Sequence, residues 1–233
     1  MKKIKFIIIV SFISFIVGGL FSKFENGTYY FWKPADQFEF ELEKSKSIDP
    51  RAYHVISDHK EEFRKLYSER QLKKENSDGE NAIANRIDTH LKDAIYRASD
   101  EDLISYFETS NRYYSTLLFH DPKSCILNYT NQGLSPEALA NKEISTRFAE
   151  LELKEVATYL SGRNGTPKPD ISDDLWKKLI VENIRVTAED ADILDHPNNY
   201  DGESVCAAIL KIYDISKIPR EQQAAYLRRY FKP

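Results

Sequence analysis

Glycine is scarce in this chain, at eight residues in 233, and proline hardly commoner at nine. Tight β-hairpin turns and phosphate-cradling loops need glycine for positive φ and close backbone approach, so a glycine-rich β architecture and a nucleotide-binding loop are both excluded. Metal and nucleophile signatures are missing as well. The five histidines, His54, His59, His90, His120 and His196, are scattered, and neither H-E-x-x-H nor C-x-x-C occurs. His54 and His59 stand five apart, a spacing that puts them on different faces of a helix. No G-x-S-x-G elbow is present to carry a serine nucleophile. The stretch "DADILDHPNNYDG" offers oxygen donors but lacks the spacing and closing glutamate of a calcium loop. No catalytic residue, cofactor-binding residue or metal ligand follows from these patterns.

Charge is absent from Phe6 to Ser22, 17 residues broken internally only by Ser11, Ser14, Gly18 and Gly19 and preceded by Lys2, Lys3 and Lys5. This is the pattern of an export signal. A spanning helix takes roughly 20 apolar residues, so the run is short for a span, although lysine stems at its ends can extend it. No A-x-A cleavage site follows, which favours an uncleaved anchor over a signal peptide that is removed. Lysines ahead of the span hold the N-terminus in the cytoplasm and send residues 23–233 across the membrane. The expected localisation is therefore the inner or plasma membrane, single-pass, with a periplasmic or extracellular domain, or secretion if the leader is cut. Cys125 and Cys206 are the only cysteines. In an oxidising compartment such a pair is expected to form one long-range disulfide.

Three regions are expected: a signal anchor or signal peptide at 1–22, a juxtamembrane segment at 23–48 and a helical domain at 49–233. Within the second, Phe38, Phe40 and Leu42 alternate with Glu39, Glu41 and Glu43 in the period of a strand, but no second alternating run exists to pair with it, so the stretch is read as a juxtamembrane segment, helical only in part. From Asp49 onward the periodicity is helical. Asp49-Pro50 starts a helix predicted to run to about Glu75, with Val55, His59, Phe63 and Tyr67 on one face. Ser77 and Ser99 have capping-box spacing to acids and open two further helices. Asp121-Pro122 begins a short helix carrying Cys125, and Ser135-Pro136 a longer one through Leu139, Ile144 and Phe148 to Gly162. Ser172 and Thr187 cap later turns, a helix bearing Cys206 ends near Ile218, and Pro219 starts the last. In that last helix Leu227, Tyr230 and Phe231 face the core and Arg228 and Arg229 face water. The fold predicted is all-α, a single bundle-like domain of about seven or eight amphipathic helices.

Residues 170–203 hold ten acids against three bases, and residues 204–233 hold two acids against six bases. Adjacent helices that neutralise each other account for this without a dedicated cation or basic partner. Glu203-Ser204 resembles the dipeptide of the lytic transglycosylase signature, but the glycine-rich tail that should follow is absent. An acidic, exported chain has little claim on nucleic acid. The expected function is a non-catalytic binding or accessory protein of the cell envelope, acting on a protein partner and held to the membrane by its N-terminal helix. An immunity-type neutraliser exemplifies that class. The alternative is a cell-wall hydrolase or other envelope enzyme that uses paired carboxylates.

Overall fold

The computed structural model describes residues 34–72, 78–130 and 132–232. The leader at 1–22 and the cap foreseen at Ser77 lie outside them. Among the described residues there are twelve α-helices and no strand, so the class is all-α with more helices than periodicity suggested. No described helix is long and apolar enough to cross a membrane. The chain divides into two compact units, one reaching Leu91 and the other running from Lys92 to the C-terminus.

In the first unit, α1 (Pro34–Ile48) occupies the stretch whose alternation resembled a strand. Phe38, Leu42 and Ser45 are buried while Phe40 is exposed, so the spacing of four and three prevails over the spacing of two. With no strand to pair against, a helix satisfies this backbone internally. Asp49 caps α2 (Pro50–Asp58) as its sequence predicts, accepting from the amides of Arg51 and Ala52 at 3.1 Å each. The Arg51 side chain also folds back onto the same carboxylate, at 3.1 Å, inside the core. The single helix expected from Asp49 to Glu75 breaks at His59, whose φ of −117° and ψ of 35° leave the helical region, and resumes as α3 (Lys60–Leu72). Glu39 of α1 pairs with Lys60 at 2.7 Å and with Arg64, tying α1 to α3. α4 (Asp78–Arg97) contributes Ile83 and Ile87 to an apolar pocket with Phe38, Leu42 and Phe63.

The second unit is built around α5 (Asp100–His120), capped by Ser99 as foreseen. Its most extensive contact is with α8 (Lys142–Gly162), and it also packs on α11 (Gly202–Tyr213) and α12 (Arg220–Phe231). Phe107 lies at the centre, with Tyr213 and Phe231 edge-on at 5.2 and 5.9 Å. The helix predicted from Ser135 to Gly162 is two helices: α7 (Pro136–Ala140) stops where Asn141 turns extended and caps α8 through the amides of Glu143 and Ile144. Leu139, expected inside, is 59% exposed on the short piece. Gly162 is more than a helix stop. A Cβ there would collide with the backbone of Ala94 and Ala98, so its missing side chain allows α8 to cross the end of α4 closely.

α6 (Lys123–Tyr129) follows α5 and packs on α11, and α9 (Asp173–Lys178) and α10 (Ala188–Asp195) connect α8 to α11. α9 continues directly into a π-helical turn, Leu179–Ile184. That wider turn brings Leu179 and Ile184, five apart and both buried, towards one side. The helix bearing Cys206 ends at Tyr213 rather than near Ile218, with a 3₁₀ turn at Ile215–Lys217 in between.

Arg228 corrects a further expectation. It is buried, not in water, and donates to the carbonyls of Tyr96 at 3.2 Å and Ala98 at 2.9 Å and to the carboxylate of Asp100 at 2.5 Å. Arg229 pairs with Asp173 at 2.5 Å and Asp170 at 3.6 Å, and Lys232 reaches Asp170 at 2.9 Å. Lys211 likewise meets Asp190 at 2.5 Å. Three carboxylates of the acidic stretch, Asp170, Asp173 and Asp190, thus pair with three bases of the basic one, Lys211, Arg229 and Lys232.

Candidate functional site

Among the described residues, three places bring chemistry-bearing side chains together. The first is the cysteine pair. Cys125 on α6 and Cys206 on α11 are bonded, with Cα atoms 5.4 Å apart across 81 residues of sequence, and both are fully buried. Gly202 makes the approach feasible, because a Cβ there would strike the backbone of Pro122. With glycine, the first turn of α11 rests on the start of α6, and Cys206, one helical turn further on, meets Cys125. Beside the bond, the Asp121 carboxylate accepts from Ser124 at 2.6 Å and from the Ser135 hydroxyl, while Ser124 accepts the Ser135 amide at 2.9 Å. The bonded cysteines cannot serve as a nucleophile, and this corner of the fold is a structural clamp.

The second is an open polar cleft of about 440 Å³ between α5 and the connection from α11 to α12. Glu108, Asn111 and Arg112 line it from one side, and Asp214, Arg220 and Gln223 from the other. Burial pushes the Asp214 carboxyl up, but hydrogen bonds from Ser216 and Lys217, with the Lys217 charge, outweigh it and hold the group below the usual carboxylate value. Asp214 therefore carries a firm negative charge at neutral pH, suited to pairing with a cation rather than to donating a proton. None of these residues was singled out by sequence pattern, since they come from positions about a hundred residues apart. Glu203, the residue of the transglycosylase-like dipeptide, is exposed in the first turn of α11.

The third lies in the first unit. His59, Glu62 and His90 place one ligand-type atom each within 4.8 Å of one another, and all three are partly buried. The His90 Nε2 is 2.9 Å from Glu62 Oε2, while the other carboxylate oxygen, Oε1, is paired with Arg86. The His59 and His90 rings stack with centroids 3.6 Å apart and planes 16° from parallel. Burial, then the nearby His90, lowers the His59 pKa, so its imidazole is neutral at neutral pH. Burial raises the Glu62 carboxyl, but hydrogen bonds from Arg86 and His90 dominate and keep it ionised. A neutral imidazole and an ionised carboxylate are the protonation states in which these groups ligate a cation. Pairwise histidine spacing gives no hint of this cluster. His59-x-x-Glu62 was readable as two neighbours on a helical face, but His90 joins them only through the packing of α4 on α3.

Elsewhere among the described residues, Phe119 at the end of α5 is a strongly exposed aromatic, at 82%. His120, next to it, reaches Glu143 of α8 at 2.9 Å. No protein-family model, curated protein or solved structure matches this chain.

Proposed function

We propose that this chain is an exported, membrane-tethered binding protein of the cell envelope, with the unit from Lys92 onward acting as a non-catalytic accessory to a protein partner. The Cys125–Cys206 bond carries this reading, since a buried disulfide between distant helices suits an oxidising compartment and the basic-then-apolar leader supplies the route there. The cleft between α5 and the α11–α12 connection is the proposed contact. Its two arginines and two carboxylates, with the amides of Asn111 and Gln223, fit a polar peptide segment of mixed charge. Phe119 would add an aromatic anchor outside it.

The enzymatic alternative draws on the same cleft, through Glu108 and Asp214. Binding is preferred because Arg112 and Arg220 line the cleft together with Glu108 and Asp214, whereas glycoside cleavage needs one carboxyl kept protonated near neutrality, which nearby cations disfavour. Topology is tested by fusing an export-dependent reporter, active only outside the cytoplasm, after Pro233, and by counting free thiols in protein taken from its native source. An active reporter and no free thiols support export. A reporter active only in the reducing interior, or two free thiols, would overturn it. The double variant Arg112→Glu/Arg220→Glu should then abolish co-purification with a crosslinked envelope partner while leaving membrane association unchanged.

A further inference from the structure

We propose that His59, Glu62 and His90 form a binding site for one divalent transition-metal ion of the zinc class, with a coordination position left open to water. The inference is independent of the export reading and rests on the first unit alone.

The ligand set is two imidazole nitrogens and one carboxylate oxygen, the composition that three-ligand zinc sites use when the fourth position is kept for water or substrate. Imidazole donors favour zinc and its neighbours over calcium or magnesium, which take all-oxygen shells. Distances fit with modest closure. Two ligands bound at about 2.0–2.2 Å in tetrahedral geometry lie roughly 3.3 Å from each other, and His90 Nε2 and Glu62 Oε2 are already 2.9 Å apart. The ion would take the place of the proton between them. The whole set, spread over at most 4.8 Å, contracts by at most about 1.5 Å to reach that separation.

The surroundings supply what a metal site needs beyond its ligands. Arg86 grips Glu62 Oε1, which fixes the carboxylate plane and leaves Oε2 directed at His90. His59 sits at the α2–α3 break and Glu62 in the first turn of α3, three residues on, with His90 delivered from α4. The stacked rings are the one feature that must change. Parallel imidazoles 3.6 Å apart aim their lone pairs in parallel, so a shared ion requires one ring to turn about its Cβ–Cγ bond. His59 is placed for that turn, because its backbone lies outside both flanking helices.

The test uses the untagged full-length chain in detergent, metal-free, titrated with Zn²⁺ in competition with a chromophoric chelator and, separately, with Co²⁺. Binding of one equivalent, with the intense visible absorption of four-coordinate Co²⁺, is expected. His59→Ala, Glu62→Gln and His90→Ala should each weaken Zn²⁺ binding by at least ~10-fold, the lower end of what even outer-shell changes produce. His120→Ala and His196→Ala should leave it unchanged. Nuclear magnetic resonance of ring nitrogens in the wild-type chain decides the matter even if a ligand variant misfolds: Zn²⁺ should shift the His59 and His90 resonances and spare His54, His120 and His196. Absence of saturable binding, binding that survives His90→Ala in a folded variant, or ring shifts confined to other histidines would overturn the proposal.

Discussion

Arg228 shows how far one residue's role can depart from its local pattern. In the run "YLRRYF" it reads as one of two solvated arginines, yet only Arg229 stands towards the surface. The Arg228 guanidinium instead satisfies carbonyls at the end of α4 and in the joint before α5, acceptors that a helix C-terminus leaves open. Arg228→Met should destabilise the protein by about 2–4 kcal/mol in urea unfolding, because the buried acceptors lose their donor. Glu41 is the opposite case. Its Oε2 is buried without a hydrogen-bond partner among the described residues, and burial raises its pKa, with Lys44 opposing. The folded state therefore holds this proton more tightly than the unfolded one. Its favourable contribution is complete below the unfolded value and is lost as pH rises through the folded value. Glu41→Gln should accordingly raise the melting temperature at about pH 7, and the gain should disappear near pH 4. Paired melts at the two pH values check this.

At the scale of elements, the N-terminal signals were legible and the interruptions were not. Asp49, Ser99, Ser135, Ser172 and Thr187 all cap helices through the side chains that marked them, and Thr187 with Asp190 completes a capping box. A cap is a local event, set by a side chain reaching an amide two or three residues on, so a short window contains it. The breaks at His59 and Asn141 lie inside stretches whose apolar period continues across them. There the chain changes direction to follow its neighbours, and periodicity records only that both halves are buried on one face. Gly162 tests the same distinction. On helix propensity alone, Gly162→Ala would stabilise α8 by up to ~1 kcal/mol. Because the added methyl would strike the backbone of α4, the expected outcome is a loss of about 1–3 kcal/mol, read from the urea midpoint.

For the molecule as a whole, the disulfide is the one covalent link between distant parts, closing a loop of 81 residues. Cys125→Ala/Cys206→Ala should lower stability by about 2–5 kcal/mol, and the same loss should appear in the wild type under strong reductant but not in the variant. Equal stability with and without reductant in the wild type would show that the bond does not form in solution. The amino-acid sequence by itself determined the helical class and most helix starts, since each follows from short-range periodicity or capping chemistry, and it set which two cysteines are available to pair in an oxidising compartment. Only the tertiary structure decided that α1 is a helix, that Arg228 is internal, that Glu108 and Asp214 share a cleft and that His90 meets His59 and Glu62. Those facts depend on which helix faces are pressed together across tens of residues, and that selection is made by the packing of the core rather than by any local stretch of chain.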